Sequence, residues 1–127
     1  MSLKTVSVDN APKAIGPYAQ GIVAGGFLFT AGQVGLDPAT MKLVEGDIVA
    51  QTRRVFDNLE AVLRGAGATF QDVVRAGVFL VDMADFAKMN EVFAARFGAH
   101  HPARSTVTVA ALPAGARVEI DLVVRVG

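Results

Sequence analysis

Between Val73 and Val81 the chain is Val-Val-Arg-Ala-Gly-Val-Phe-Leu-Val, apolar at nearly every position except Arg75. A strand with hydrophobic side chains on both faces must be covered on both. The run therefore predicts a central strand. Two amphipathic segments flank it. From Asp47 to about Gly65 the apolar residues Ile48, Val55, Leu59, Val62 and Ala66 recur at helical spacing, with Gln51, Arg53, Arg54, Asp57 and Glu60 mostly turned away. Asp47 suits the positive helix start, and Gly65 and Gly67 mark the stop. After the run, Asp82 lies three residues before Asp85 and starts a second helix to Phe97, with Gly98 as its stop. Phe86, Met89, Phe93 and Phe97 form its buried stripe, and Asn90 borders that stripe.

The remaining segments read as strands. Leu3 to Val8 suggests an edge strand. The two prolines and the glycine of 11–18 form a loop that delivers the only tyrosine, Tyr18. Ala19 to Ala24, Gly25-Gly26 and Phe27 to Ala31 make a hairpin, and Gly35 to Lys42 is a loop. The order β-ββ-α-β-α-ββ predicts one α+β domain over residues 1–127, with both helices on one face of a mixed sheet. The other face is then apolar as well. Phe27 and Phe29 oppose Leu28, and Val74, Ala76 and Val78 oppose Val73, Phe79 and Val81. Left open, that face exceeds the apolar patch a soluble monomer usually shows, so a closed homo-oligomer is expected.

Composition excludes several classes. With no cysteine there is no disulfide framework, thiolate nucleophile or cysteine metal site. Lys and Arg total 12, as do Asp and Glu, so the basic imbalance of nucleic-acid binders is missing. No apolar run reaches the ~20 residues of a membrane span, and no leader pattern precedes the domain, so a soluble cytoplasmic protein is expected. His100 and His101 are adjacent and diverge, and no second cluster completes a metal site.

The stretch from Pro102 to Ile120 carries the candidate chemistry. It reads as two strands joined by a turn at Pro113 to Gly115. Arg104, Thr106 and Thr108 share one face, with Ser105, Val107 and Val109 on the other and toward the core. Glu119 and Asp121 oppose Val118, Ile120 and Leu122. Paired as a hairpin, Glu119 falls opposite Thr108, on the face of Arg104 and about 13 Å away along the strand. That is a poor distance for an ion pair, so each charge meets either solvent or a neighbouring copy. Tyr18 can be a pocket wall, and Gly32 permits close approach of a ligand to the backbone.

Ile15-Gly-Pro-Tyr-Ala-Gln20, Phe29-Thr-Ala-Gly-Gln33, the helix segment with Asp85, Phe86 and Asn90, and above all Pro102-Ala-Arg-Ser105 with Val118-Glu-Ile120 resemble the Rid (YjgF-like) family, the reactive-intermediate imine deaminases. The resemblance covers nearly the whole chain. It implies a chorismate-mutase-like fold, a homotrimer with active sites between subunits, and hydrolysis of 2-imino acids or their enamine tautomers, of the 2-aminoacrylate and 2-aminocrotonate type, to 2-oxo acids and ammonia. It implies Arg104 as the carboxylate clamp, Glu119 as the group that activates water, and Tyr18 as a third catalytic-site residue. Gly32, Ala31, Thr106 and Asn90 would surround the substrate, with no metal or organic cofactor. Some relatives have Cys where Thr106 stands and Ser where Ala31 stands, which bears on substrate preference. The alternatives are a pathway-specific deaminase, for instance for an aminomuconate-type compound, or a non-catalytic ligand- or RNA-binding member.

Overall fold

In a computed structural model describing residues 2–127, the chain forms β1 (Lys4–Val6), β2 (Gly21–Ala24), β3 (Phe27–Thr30), β4 (Leu36–Asp37), β5 (Lys42–Leu43), α1 (Ile48–Gly65), β6 (Val73–Leu80), α2 (Phe86–Phe97), β7 (Ala103–Thr108) and β8 (Val118–Arg125). Single 3-10 turns occupy Phe70–Asp72, Met83–Asp85 and Pro113–Gly115. A six-stranded sheet runs β1-β2-β3-β8-β6-β7, and β4 pairs with β5 in a separate small hairpin. That hairpin stands where the sequence suggested only a loop.

The helices form for the reasons legible in the sequence. Asp47 accepts a hydrogen bond from the Ala50 N–H at the start of α1, and Asp82 caps the 3-10 turn that leads into α2 by accepting from Ala84. Both helices cover one sheet face. Leu28, Ala76, Val78, Leu80, Val118, Ile120, Leu122 and Val124 are buried against Val55, Phe56, Leu59, Val62, Met89, Phe93 and Phe97 in one core. Phe56 anchors it, meeting Phe70, Phe93 and Phe97 edge-on at centroid distances of 5.8, 5.7 and 5.8 Å. Gln51 is buried, contrary to expectation, because its Oε1 accepts from the backbone N–H of Arg117. A buried amide is tolerated when so paired.

Three expectations are corrected. First, β7 and β8 do not pair. β6 lies between them, antiparallel to β8 and parallel to β7. Because α2 joins β6 to β7, those two strands form a crossover unit, which requires parallel pairing. Second, Arg104 and Glu119 do not share a face. Arg104 pairs with buried Ala76 on the helix side, whereas Glu119 pairs with Phe79 and alternates with buried Val118 and Ile120. Val107, expected in the core, is 45% exposed on the open face. Third, a bulge between Val73 and Arg75 resets the alternation in β6. Val73 thereby joins Ala76 and Val78 on the buried face, and both Val74 and Arg75 are exposed. An extra residue in one strand has this effect on the residues that follow.

The open face is apolar as expected. Phe27, Phe29, Val74 and Val107 are 38%, 48%, 43% and 45% exposed, whereas Leu28 between the two phenylalanines is fully buried.

Candidate functional site

The residues singled out in the sequence fall into two groups on one chain. The first surrounds Glu119. Antiparallel β8 brings Ile120 beside Gln33, and the two residues exchange backbone hydrogen bonds of 2.9 and 3.1 Å. This ties the segment after β3 to the start of β8 and sets Gly32 directly against the Glu119 side chain. A Cβ at position 32 would lie 2.6 Å from Glu119 Oε2 and 2.7 Å from its carboxyl carbon. Only glycine leaves that space. Ala31, Gly32, Glu119 and Tyr18 line one cavity of about 570 Å³.

Tyr18 reaches the cavity on a braced loop. Gln20 is buried and its side chain accepts from the Val8 N–H at 2.7 Å and donates to the carbonyls of Val8 and Pro12 at 3.1 and 2.9 Å. Its backbone carbonyl accepts from the Ala31 N–H. Sequence reading passed over Gln20 because an amide beside a strand start carries no chemical signature. It joins the tyrosine loop to the strand end that holds Gly32. The Tyr18 hydroxyl accepts from the Ile15 N–H at 3.2 Å and the residue is 54% exposed.

Burial raises the pKa of the Glu119 carboxyl, and the nearby Asp121 carboxylate raises it further. Asp121, two residues along the same face, is also raised by burial, offset by a hydrogen bond from the Gly77 backbone and by the charge of Arg75. Among the described residues Glu119 has no salt-bridge partner. It is a carboxyl group in a cavity, with no ion pair of its own among the described residues.

The second group surrounds Arg104 on the helix face of β7. Its Nη1 donates to Asn90 Oδ1 at 2.7 Å, and its guanidinium lies 4.6 Å from the Phe93 ring centre and 5.6 Å from that of Phe86. Two aromatic rings and one amide thus orient the plane and leave the other guanidinium donors without a partner among the described residues. Asn90, Phe93, His101 and Arg104 line a separate cavity of about 440 Å³. His100 Nε2 lies 2.7 Å from the Val73 carbonyl oxygen and so donates to it. Thr106 Oγ1, two residues beyond Arg104 on the same face, is buried without a hydrogen-bond partner among the described residues.

The groups do not meet within one chain. Their backbones lie three residues along and two strands across the sheet, about 10 Å in each direction, and their side chains leave opposite faces. No group of three or more His, Cys, Asp or Glu side chains able to hold a metal occurs among the described residues. No described helix is long and apolar enough to cross a membrane.

Residues 8–126 match the family described as Endoribonuclease L-PSP. A structure of a Rid-family protein, YyfA from Yersinia pestis, shares 43% identity and superposes with a TM-score of 0.96, covering 98% of this chain and 100% of that one. The chain belongs to this family, the Rid or YjgF-like family. Other relatives include Protein DfrA of Myxococcus xanthus, 52% identical over 97% of this chain and 95% of that protein. A mouse protein named 2-iminobutanoate/2-iminopropanoate deaminase is 42% identical over 94% of this chain and 89% of its own length.

A direct consequence of the geometry is that Gly32→Ala moves the Glu119 carboxyl. Carbon contacts under 3.0 Å force a shift, and the side chain is the part that yields. With Glu119 in the water-activating role that the family resemblance implies, the expected result is a folded variant, with melting temperature close to wild type, whose kcat falls by about 100-fold, the cost of an ångström-scale misplacement at a reacting centre. A variant as active as wild type would contradict a catalytic role for the Glu119 carboxyl in this position.

Proposed function

We propose that this protein is a deaminase that hydrolyses 2-imino acids, and the enamines that tautomerise to them, to 2-oxo acids and ammonia. The observation that carries this reading is the Glu119 carboxyl, lodged against Gly32 in a cavity with Tyr18. A carboxyl whose pKa burial raises above the ordinary glutamate range suits general acid/base chemistry. Glu119 takes a proton from water as the water oxygen attacks the C=N carbon and passes it to the imine nitrogen, giving a carbinolamine. It then takes the hydroxyl proton as C=O forms and delivers it to the nitrogen as the C–N bond breaks. The balance is one water consumed, one ammonia released and a C=O formed.

Arg104 supplies what Glu119 lacks. Its remaining donors form two parallel hydrogen bonds with the substrate carboxylate, and the guanidinium charge holds the anion. Asn90 and Phe93 position the fork. The unpartnered Thr106 hydroxyl is a donor for substrate or for an ordered water, and the backbone around Ala31 and Gly32 contacts the ligand. Since Arg104 and Glu119 leave opposite faces of one sheet, a complete site needs Arg104 from one copy and Glu119 from another. The open apolar face supports a homotrimer that closes such sites between subunits. No metal or organic cofactor enters this scheme, and the reading places the reaction in the cytoplasm. The chain's zero formal net charge gives an RNA backbone little to bind.

The test generates 2-aminoacrylate or 2-aminocrotonate in situ with a serine or threonine dehydratase and follows imine loss in competition with a trapping amine. The protein is expected to accelerate formation of the 2-oxo acid in proportion to its concentration. No acceleration with either enamine would overturn the reading.

A further inference from the structure

Among the described residues, two that are not glycine have left-handed backbone angles, Met41 with φ of 60° and Ala114 with φ of 59°. Both line the Glu119 cavity. Left-handed backbone strains any side chain beyond glycine. Such outliers collect where a function holds them in place.

Met41 closes the turn between β4 and β5. Its N–H donates to the Asp37 carbonyl at 2.7 Å, Asp37 Oδ1 accepts from the Ala39 N–H, and Thr40 Oγ1 accepts from the Lys42 N–H. These bonds fix the turn and impose the left-handed angle on its last residue. Glycine would satisfy the turn without strain, yet a long thioether side chain stands there and lines the cavity. Ile15, Val34 and Leu36 line it too. Ala114 holds the other strained position with a side chain too short to fill the space.

The polar functions of this cavity are those of Glu119, Tyr18, Lys13 and Gln33, and the wall formed by Met41, Ile15, Val34 and Leu36 is aliphatic. We propose that Met41 is a specificity-determining residue that selects unbranched aliphatic side chains on the 2-imino acid. The proposal rests on the deaminase reading for the identity of the ligand. A flexible thioether adapts to a chain of methylenes better than a branched side chain does. Each methylene it covers strengthens binding by about fourfold, the equivalent of about 0.8 kcal/mol.

Binding of the stable product class reads this out without turnover. Calorimetry with the straight-chain series from 2-oxopropanoate to 2-oxohexanoate is expected to show affinity rising by about fourfold per methylene in the wild type. In Met41→Gly and Met41→Gln the gradient is expected to fall below about twofold per methylene, with branched Met41→Leu lying between these and the wild type. Met41→Gly relieves the backbone strain, so its thermal melt should confirm a folded protein. A flat or unmeasurable series in the wild type, or an unchanged gradient in both Met41→Gly and Met41→Gln, overturns the assignment. The dehydratase-coupled assay judges the deaminase reading separately. A Met41-dependent gradient in a protein that hydrolyses no imine would leave the selectivity standing and remove the reaction.

Discussion

Replacing Arg104 by alanine is expected to lower kcat/KM for 2-aminocrotonate-derived imine by about 100- to 1,000-fold, the loss of two hydrogen bonds to a charged group at about 1.5–2 kcal/mol each. Because the clamp holds the carboxylate before and during reaction, much of the loss should fall on KM. Arg104→Lys is a sharper comparison. Lysine keeps the charge but cannot present two parallel donors, nor lie flat 4.6 Å from Phe93 while bonding Asn90. Most of the loss should therefore persist in Arg104→Lys. Asn90→Ala, which removes only the group that aims the fork, should cost less than either. Thermal melts guard against a trivial cause, since Arg104 also covers part of Phe93. If Arg104→Ala matches wild type, the carboxylate is bound elsewhere.

The residue types of this site were legible in the sequence, but their placement was only half so. Alternation within a strand was enough to set Leu28 on the face opposite Phe27 and Phe29, and Asp47 announced its helix by a capping bond that is wholly local. Pairing between strands is not local. The Pro113–Gly115 turn made β7 and β8 look like neighbours, and nothing in their own residues says that β6 lies between them. The cue was α2 itself: a helix joining two strands of one sheet brings them parallel, which leaves β8 for the other edge of β6. The face error followed directly, because face relations between two strands depend on which strand separates them and in what register. The bulge in β6 has a similar origin. One added residue at Val74 inverts the alternation after it, and no side chain there signals the insertion. Even so, the conclusion that Arg104 and Glu119 do not pair within a chain holds on stronger grounds than the strand arithmetic offered, since opposite faces forbid what distance only disfavours.

Glu119→Gln is expected to leave 2-oxo acid binding near wild type while lowering kcat by about 100- to 10,000-fold, the usual worth of a general acid/base group. Glutamine fills the same space against Gly32 and cannot exchange a proton. The acid limb of the wild-type kcat profile should lie above the ordinary glutamate value of 4.5, since burial and the Asp121 charge raise the Glu119 pKa. The same shift fixes the sign of a stability effect. Between its ordinary and raised values the folded state binds more protons than the unfolded one, so stability falls as pH rises through that window. Below the window the carboxyl is neutral in both states and costs nothing. Glu119→Gln should thus melt at a higher temperature than wild type at pH 8, with the difference closing as pH falls toward 4.5. A catalytically crippled but more stable variant is the signature of a group held at the expense of the fold. Mixing then locates the site. When Arg104→Ala and Glu119→Gln chains are unfolded together and refolded at equal amounts, clefts that draw the two residues from different copies recover about a quarter of wild-type activity, the chance that one copy supplies an unaltered Arg104 and the other an unaltered Glu119. A site built from one chain recovers none. Loss of binding in Glu119→Gln with the saturated rate preserved would contradict the water-activating role outright.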